Sequence, residues 1–293
     1  MIKTDISDAK PPPAGYKRNL LIRRLARAPW WLLLAAVLIF VFAVSVADEK
    51  TYQEVFAKVM QGVGTTIWVS VVAYVIALVL GLLVALLRRS RHAFIYQPVT
   101  LYVEIVRGIP TLVLVYYIVL ALVPELVRIG NDLGAWMVTN EVIPSLGNTL
   151  AELRTRDINN AYRAILGLAV SYSAFLSEIF RAGIESIDRG QHEAGMSLGM
   201  TRWQVMRRIV LPQAFRTVLP PLGNDFIAML KESSLVSIVG VEDITRSGAT
   251  YASANFTFFQ SYNVVALTYL VLTLSLSMMV KALEHYLDRG KSR

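Results

Sequence analysis

Two carboxylates lie inside apolar stretches, where an ionised group is expensive and by default marks a site for a solute. Glu178 shares its stretch with Ser171, Tyr172, Ser173, Ser177 and Arg181, and Asp225 sits beside Asn224 in a segment that also holds Arg216, Pro220, Pro221 and Gly223. Ser173, Ser177, Glu178, Asn224 and Asp225 are therefore the candidate pathway residues. The competing reading for Glu178 is structural: Arg181 is three residues on, and an i, i+3 pair can neutralise itself near a helix end. A third polar group precedes them. Glu104 and Arg107 are also spaced i, i+3, and Gly108-Ile109-Pro110 must distort any helix running through it. Glu104, Arg107, Gly108 and Pro110 are thus candidates either for a gate or for a local kink with a snorkelling arginine. Other chemistries are absent. There is no cysteine, so thiolate metal sites and thiol nucleophiles are excluded. His92, His192 and His285 lack ligand spacing, and no Gly-x4-Gly-Lys-Ser/Thr phosphate loop occurs.

The elements that must carry these residues cross a membrane. The 293 residues are 55% hydrophobic and 17% charged, with mean hydropathy +0.51, and the apolar runs reach the roughly 20 residues needed to traverse the hydrocarbon layer. The sequence predicts an all-α, polytopic helical membrane protein. A basic tail (1–29) leads to an apolar anchor at 30–47, and further spans are expected near 65–87, 98–123, 162–184, 213–231 and 261–283. The context Val44-Ser45-Val46-Ala47 would suit signal cleavage, but the length of the apolar core favours a retained anchor. The stretch 124–161 reads as an external insertion with one or two short helices. The span at 213–231 is too polar to face lipid and should be enclosed or line a water-filled cavity.

Net charge is +8, which in a soluble protein would suggest nucleic acid. No basic run is interleaved with aromatics, so no nucleic-acid partner is expected. With six spans and an internal N-terminus, 18 basic residues fall on cytoplasmic segments and 6 on external ones, the asymmetry expected when Lys and Arg hold loops inside. Both termini, and the polar stretch 188–212, are placed in the cytoplasm.

That stretch, DRGQHEAGMSLGMTRWQVMRRIVLP, contains two helix-start signals. Asp188-x-x-Gln191 and Thr201-x-x-Gln204 have the form of capping boxes, and Gly199 suits a helix C-terminus. Two short helices should therefore form a compact knob. Gly195 and Gly199, four apart, are expected to leave a bare strip on one face for another surface to approach.

Glu193-Ala194-Gly195, three residues, Gly199, nine residues, then Ile209-Val210-Leu211-Pro212 resembles the EAA-x3-G-x9-I-x-L-P signature of permease subunits of binding-protein-dependent ABC importers. Gly195 replaces the second alanine. Residues 62–90, VEIVRGIPTLVLVYY (103–117) and 219–245 resemble the polar amino acid subfamily, although Leu114 replaces a polar residue of its RGTPLLVQ motif. The resemblance covers about 62–284. It implies the type I importer permease core of five helices, to which the anchor at 30–47 is an addition, in the plasma (inner) membrane of a prokaryote. It further implies that 188–212 couples to an ATPase through Glu193, Ala194, Gly195, Gly199, Ile209, Leu211 and Pro212. The implied partners are two ATPase subunits that bind the ATP, a second permease identical or paralogous to this one, an external solute-binding protein, membrane lipid and an amino acid substrate. No catalytic residue, metal or cofactor is expected in the chain itself. A cationic substrate is favoured if Glu178 and Asp225 are both unpaired; neutral or acidic ones stay open if they pair with Arg181 and Arg216. The competing classes are an ion-gradient-driven carrier, a permease for another small polar solute, and a membrane-embedded enzyme, for which no constellation is present.

Overall fold

The computed structural model describes residues 30–288, so the basic tail 1–29 and the last five residues lie outside the described residues. All regular elements among the described residues are helical. The chain divides into two units at Asp48. The first contributes one described helix, α1 (Trp30–Asp48), apolar through most of its length.

The second unit begins with α2 (Lys50–Leu87), 38 residues long. Its buried positions Thr66, Ser70, Ala73, Ala77, Gly81 and Ala85 recur every three to four residues, the spacing of one helix face. All are small, which lets backbones approach closely where lipid supplies no hydrophobic contrast. The partner is α6 (Asn160–Glu185): a Cβ on Gly81 would stand 2.8 Å from the Leu176 Cβ and 3.0 Å from the Ser173 carbonyl. Around this pair Val69, Ala73, Ala77, Leu168, Tyr172 and Leu176 join Val115, Val119, Val218, Leu222 and Met229 in one buried cluster.

Between α2 and α6 the chain departs from a single kinked span at 98–123. α3 (Ala93–Gly108) ends, Ile109 is extended (φ −99°, ψ 132°), and α4 starts afresh after Pro110 and runs Thr111–Thr139 with a π-helical turn at Tyr117–Leu122. Gly108 followed by an X-Pro pair breaks the helix outright because the residue before proline is driven from the α region. α4 also continues far into the stretch expected to be an insertion. Val123, Val127 and Gly134 keep its buried stripe, while Glu125, Arg128 and Asp132 pair on its exposed side. Its 29 residues measure about 44 Å, longer than the hydrocarbon layer. α5 (Pro144–Glu152) folds back along it, made possible by Gly134 and Gly147 at the contact. Asn131 fastens the hairpin, its two side-chain N–H donors shared among the carbonyls of Leu150, Ala151 and Leu153, each 2.9 Å from Nδ2.

After α6 come two short helices, α7 (Arg189–Ser197) and α8 (Arg202–Val205), a π-helical turn (Met206–Val210) and α9 (Leu211–Glu232). A 3₁₀ turn (Ser233–Ser237), α10 (Ile244–Asn255) and α11 (Phe258–Asp288) complete the described chain. Among the described residues, α2, α4, α6 and α11 are long and apolar enough to cross a membrane. α9, which covers the span expected at 213–231, is not among them, because Arg216, Asn224, Asp225 and Lys231 lower its hydropathy.

Candidate functional site

Three groups of residues on this frame bear on function. The first is the knob formed by α7 and α8. Asp188 caps α7 by accepting a 2.6 Å hydrogen bond from the Gly190 amide. Gln191 does not complete the expected box, because its Oε1 accepts from Gln213 Nε2 at 3.4 Å. Thr201 and Gln204 do form the reciprocal box: the Thr201 amide donates to Gln204 Oε1 (2.8 Å) and the Gln204 amide to Thr201 Oγ1 (3.3 Å). Between the helices Gly199 adopts φ +78° while the Met200 amide donates to the Gly195 carbonyl at 3.1 Å, the left-handed closure that favours glycine.

The bare glycine strip is not formed. Gly195 faces inward, and a Cβ there would lie 2.8 Å from Val205 Cγ2 and 3.0 Å from Ile209 Cδ1, whereas Gly199 has open space around it. The reason is that α8 folds onto the α7 face carrying Gly195, so that glycine serves contact within the knob and Gly199 serves its turn. Val205 and Val210, with Ile209, pack onto Ile184 of α6 and Ala214 of α9 in a small core. Outward the knob presents two large apolar side chains, Leu198 (81% exposed) and Trp203 (67%), in a surface that also exposes Met196, Ala194, Glu193 and the basic Arg189, Arg202, Arg207 and Arg208. Leu211 and Pro212 open α9 with their side chains exposed.

The second group surrounds Glu178. Arg181, three residues on, reaches it at 2.7 Å, Arg88 at the end of α2 donates to it, and Arg107 of α3 stands 3.7 Å away with its guanidinium 5.8 Å from the Phe175 ring. The expected Glu104–Arg107 pair gives way to this one. Glu104 is exposed, while the largely buried Glu178 has the greater demand for a countercharge. Glu178 is thus a bound anion among three cations. Arg88 was not legible as its partner, since only the fold brings residues 90 apart in sequence together.

The third group lies on α9. Asp225 does not meet Arg216; its Oδ2 is buried without a hydrogen-bond partner in the chain, and so is Oε2 of Glu232, seven residues on. The i, i+7 spacing that puts both on one face is the signal the sequence carries for this pair. Tyr74 packs alongside, donating to the Leu222 carbonyl at 2.5 Å. Asn224 is exposed. Ser173 and Ser177 are fully buried and satisfied: each donates to a carbonyl of its own helix, Val170 and Ala174, and Ser173 also meets the Tyr102 hydroxyl at 2.6 Å. In the single chain they occupy helix packing rather than open space.

Long apolar helices packed through small residues, with the polar α9 among them, make this a multi-pass membrane protein, and its structural match to a solved amino acid ABC transporter gives it the type I ABC importer permease fold. The chain belongs to the family of binding-protein-dependent transport system inner membrane components, whose model matches residues 77–293. It is 34% identical over 237 residues to the probable amino-acid permease protein YxeN of Bacillus subtilis (strain 168), covering 80% of this chain and 93% of that one. It is 32% identical over 225 residues to the glutamine transport system permease protein GlnP of Escherichia coli (strain K12), covering 77% and 90%. The solved structure of an amino acid ABC transporter with histidines aligns with TM-score 0.64 at 32% identity, over 80% of this chain and 95% of that chain. The MetNI methionine ABC transporter, at 20% identity and TM-score 0.56, shares the fold.

Proposed function

We propose that this chain is the permease subunit of an ATP-driven importer of amino acids, and that the 188–212 knob is its coupling element. The relatives' names support the substrate class. The observation that carries the coupling reading is the knob itself, which exposes Leu198 and Trp203 and is packed through Val205 and Val210 onto Ile184 of α6 and Ala214 of α9. Large exposed apolar side chains on a preformed scaffold are what a protein partner covers. Two ATPase subunits would each receive one knob and bind the ATP, leaving this chain without nucleotide chemistry. The excess of Lys and Arg on the knob side supports a cytoplasmic knob and cytoplasmic termini in the plasma membrane of a prokaryote. The opposite end would then meet an external solute-binding protein. Gln213, Arg216 and Asn224 of α9 are exposed in the single chain, and polar side chains at that depth call for enclosure. A second permease, identical or paralogous, supplies it. The competing ion-gradient carrier leaves the family match without a role.

For the solute, the unpartnered oxygens of Asp225 and Glu232 suit a cation, and the ammonium group common to all amino acids provides one. Glu178 is already neutralised, so the condition that favoured a cationic side chain is half met, and side-chain charge stays open. Replacing Asp225 or Glu232 by alanine is expected to lower uptake about tenfold or more, the loss of one charged hydrogen bond, at unchanged membrane level. Uptake equal to the parent in both variants would remove the pair from the pathway. The reading as a whole is tested by purifying the chain with its cognate ATPase. Absence of a stable complex, or a complex that survives Gly199→Arg on the outward turn, would overturn it.

A further inference from the structure

The Glu178 cluster ties three helices together with unequal bonds. Arg88 is 11% exposed and hydrogen-bonded to Glu178, and Arg181 both bonds Glu178 and reaches Glu185 at 2.6 Å. Arg107 is the loose member: it is 42% exposed, and 3.7 Å is an ion pair without a hydrogen bond. If Arg107 withdrew, Glu178 would keep two charge-assisted hydrogen bonds, and Arg107, already 42% exposed, would give up only its approach to the Phe175 ring. Neither partner would be stranded, so that contact is cheap to open while the other two are not.

The helix bearing Arg107 is attached in the same graded manner. α3 meets its neighbours through a small apolar set, Val103, Val106, Leu114 and Ala174. Its one direct polar side-chain tie besides Arg107 is the Tyr102 hydroxyl, within 2.6 Å of Ser173 Oγ and 3.2 Å of the Val170 carbonyl. Its outer side is bare, with Phe94 at 95% exposure and Leu101 and Ile105 also exposed. At its far end Gly108, with open space where a Cβ would stand, and extended Ile109 separate it from α4. α3 can therefore turn without moving α4. α6, in contrast, runs from Glu178 to Ile184 of the knob core in six residues, about 9 Å.

We propose that the Arg107–Glu178 contact is a releasable latch between α3 and α6. A displacement of the knob reaches Glu178 along rigid α6, the latch opens, and α3 swings about Gly108–Pro110 to open or close the knob side of the solute pathway. Arg107 and Glu178 are positioning residues in this scheme. The inference rests on the coupling reading above and goes beyond it by assigning the moving part.

The chain has no cysteine, so a pair can be introduced cleanly. Tyr102→Cys with Ser173→Cys, joined by a short reducible bis-methanethiosulfonate linker in the complete reconstituted transporter, should pin α3 to α6. The expected result is uptake lowered at least tenfold while linked and restored by reductant to the level of the unlinked double variant, with the ATPase bound throughout. Full uptake with the linker in place would overturn the latch. The reversal by reductant distinguishes a locked helix from a misfolded one. In a second arm, Arg107→Ala should raise ATP hydrolysis in the absence of the solute-binding protein and lower the solute moved per ATP, because the latch no longer holds α3 at rest. An unchanged ratio would equally overturn it. Loss of the ATPase from the parent complex would instead refute the coupling reading, so the two failures are distinguishable.

Discussion

Leu198→Asp combined with Trp203→Ala is expected to remove the ATPase partner from the purified complex and to lower uptake by about a hundredfold or more. Both side chains stand on the knob's outward surface. Buried in a partner's cleft, each would be a candidate hot spot worth roughly 2–4 kcal/mol, and about 2.8 kcal/mol alone shifts an association constant a hundredfold. The aspartate adds the penalty of carrying a charge into a desolvated contact. Neither residue belongs to the knob core, which is built from Ile184, Val205, Val210 and Ala214, so folded stability should move by no more than about 0.5 kcal/mol. The measurement is paired: co-purification of the ATPase, and the thermal midpoint of the permease in detergent. A lost partner at an unchanged midpoint is the predicted signature. Retained partner and full uptake would show that the knob is not the coupling surface. Gly195→Leu makes the contrast, since a side chain there enters Val205 and Ile209 and should lower both readouts together.

The different fates of these two sites show what the sequence could and could not convey. Capping is local: Thr201 and Gln204 are three residues apart, and the box they form follows from backbone geometry. The apolar runs behind α2, α6 and α11 are equally local, because span length is fixed by bilayer thickness. The role of Gly195 is not local. Spacing puts it on the same face as Gly199, but only the return of α8 decides that the face is covered. Likewise the charged residues of α4 concealed a continuous helix, because Glu125, Arg128 and Asp132 satisfy one another on its exposed side. For Glu178, sequence spacing offered Arg181, and the fold added Arg88 and Arg107 from two other helices. Ser173 and Ser177 show the opposite case. A hydroxyl inside a membrane helix can serve a solute or bond its own backbone, and here each bonds the carbonyl three residues back.

Gly62→Ala is expected to be among the most destabilising single-methyl additions in the chain. A Cβ at Gly62 would stand 2.4 Å from both the carbonyl carbon and oxygen of Asp243 and 2.5 Å from the Ile244 nitrogen. These are backbone atoms, so no rotamer change relieves the collision and the loop itself must move. That loop is the junction of three helices. Asp243 is fully buried and caps α10 by accepting a 2.7 Å hydrogen bond from the Arg246 amide, it accepts another from the Tyr269 hydroxyl of α11 at 3.2 Å, and the Ile244 amide donates to Thr66 Oγ1 of α2 at 3.1 Å. Leaving such buried groups unpaired costs about 1–3 kcal/mol each, so displacing the loop should cost about 4 kcal/mol or more, the range that signals a named structural failure. Gly64, one turn-half away on the same helix, has nothing within 4 Å of its would-be Cβ. There alanine should be neutral or stabilising by about 0.5–1 kcal/mol, because it only restrains the unfolded chain and improves helix propensity. Thermal unfolding of the two variants in the same detergent checks the pair. A large drop for Gly62→Ala beside an unchanged or raised midpoint for Gly64→Ala is the expected outcome, and equal midpoints would mean that the α2–α10–α11 junction yields without losing its hydrogen bonds.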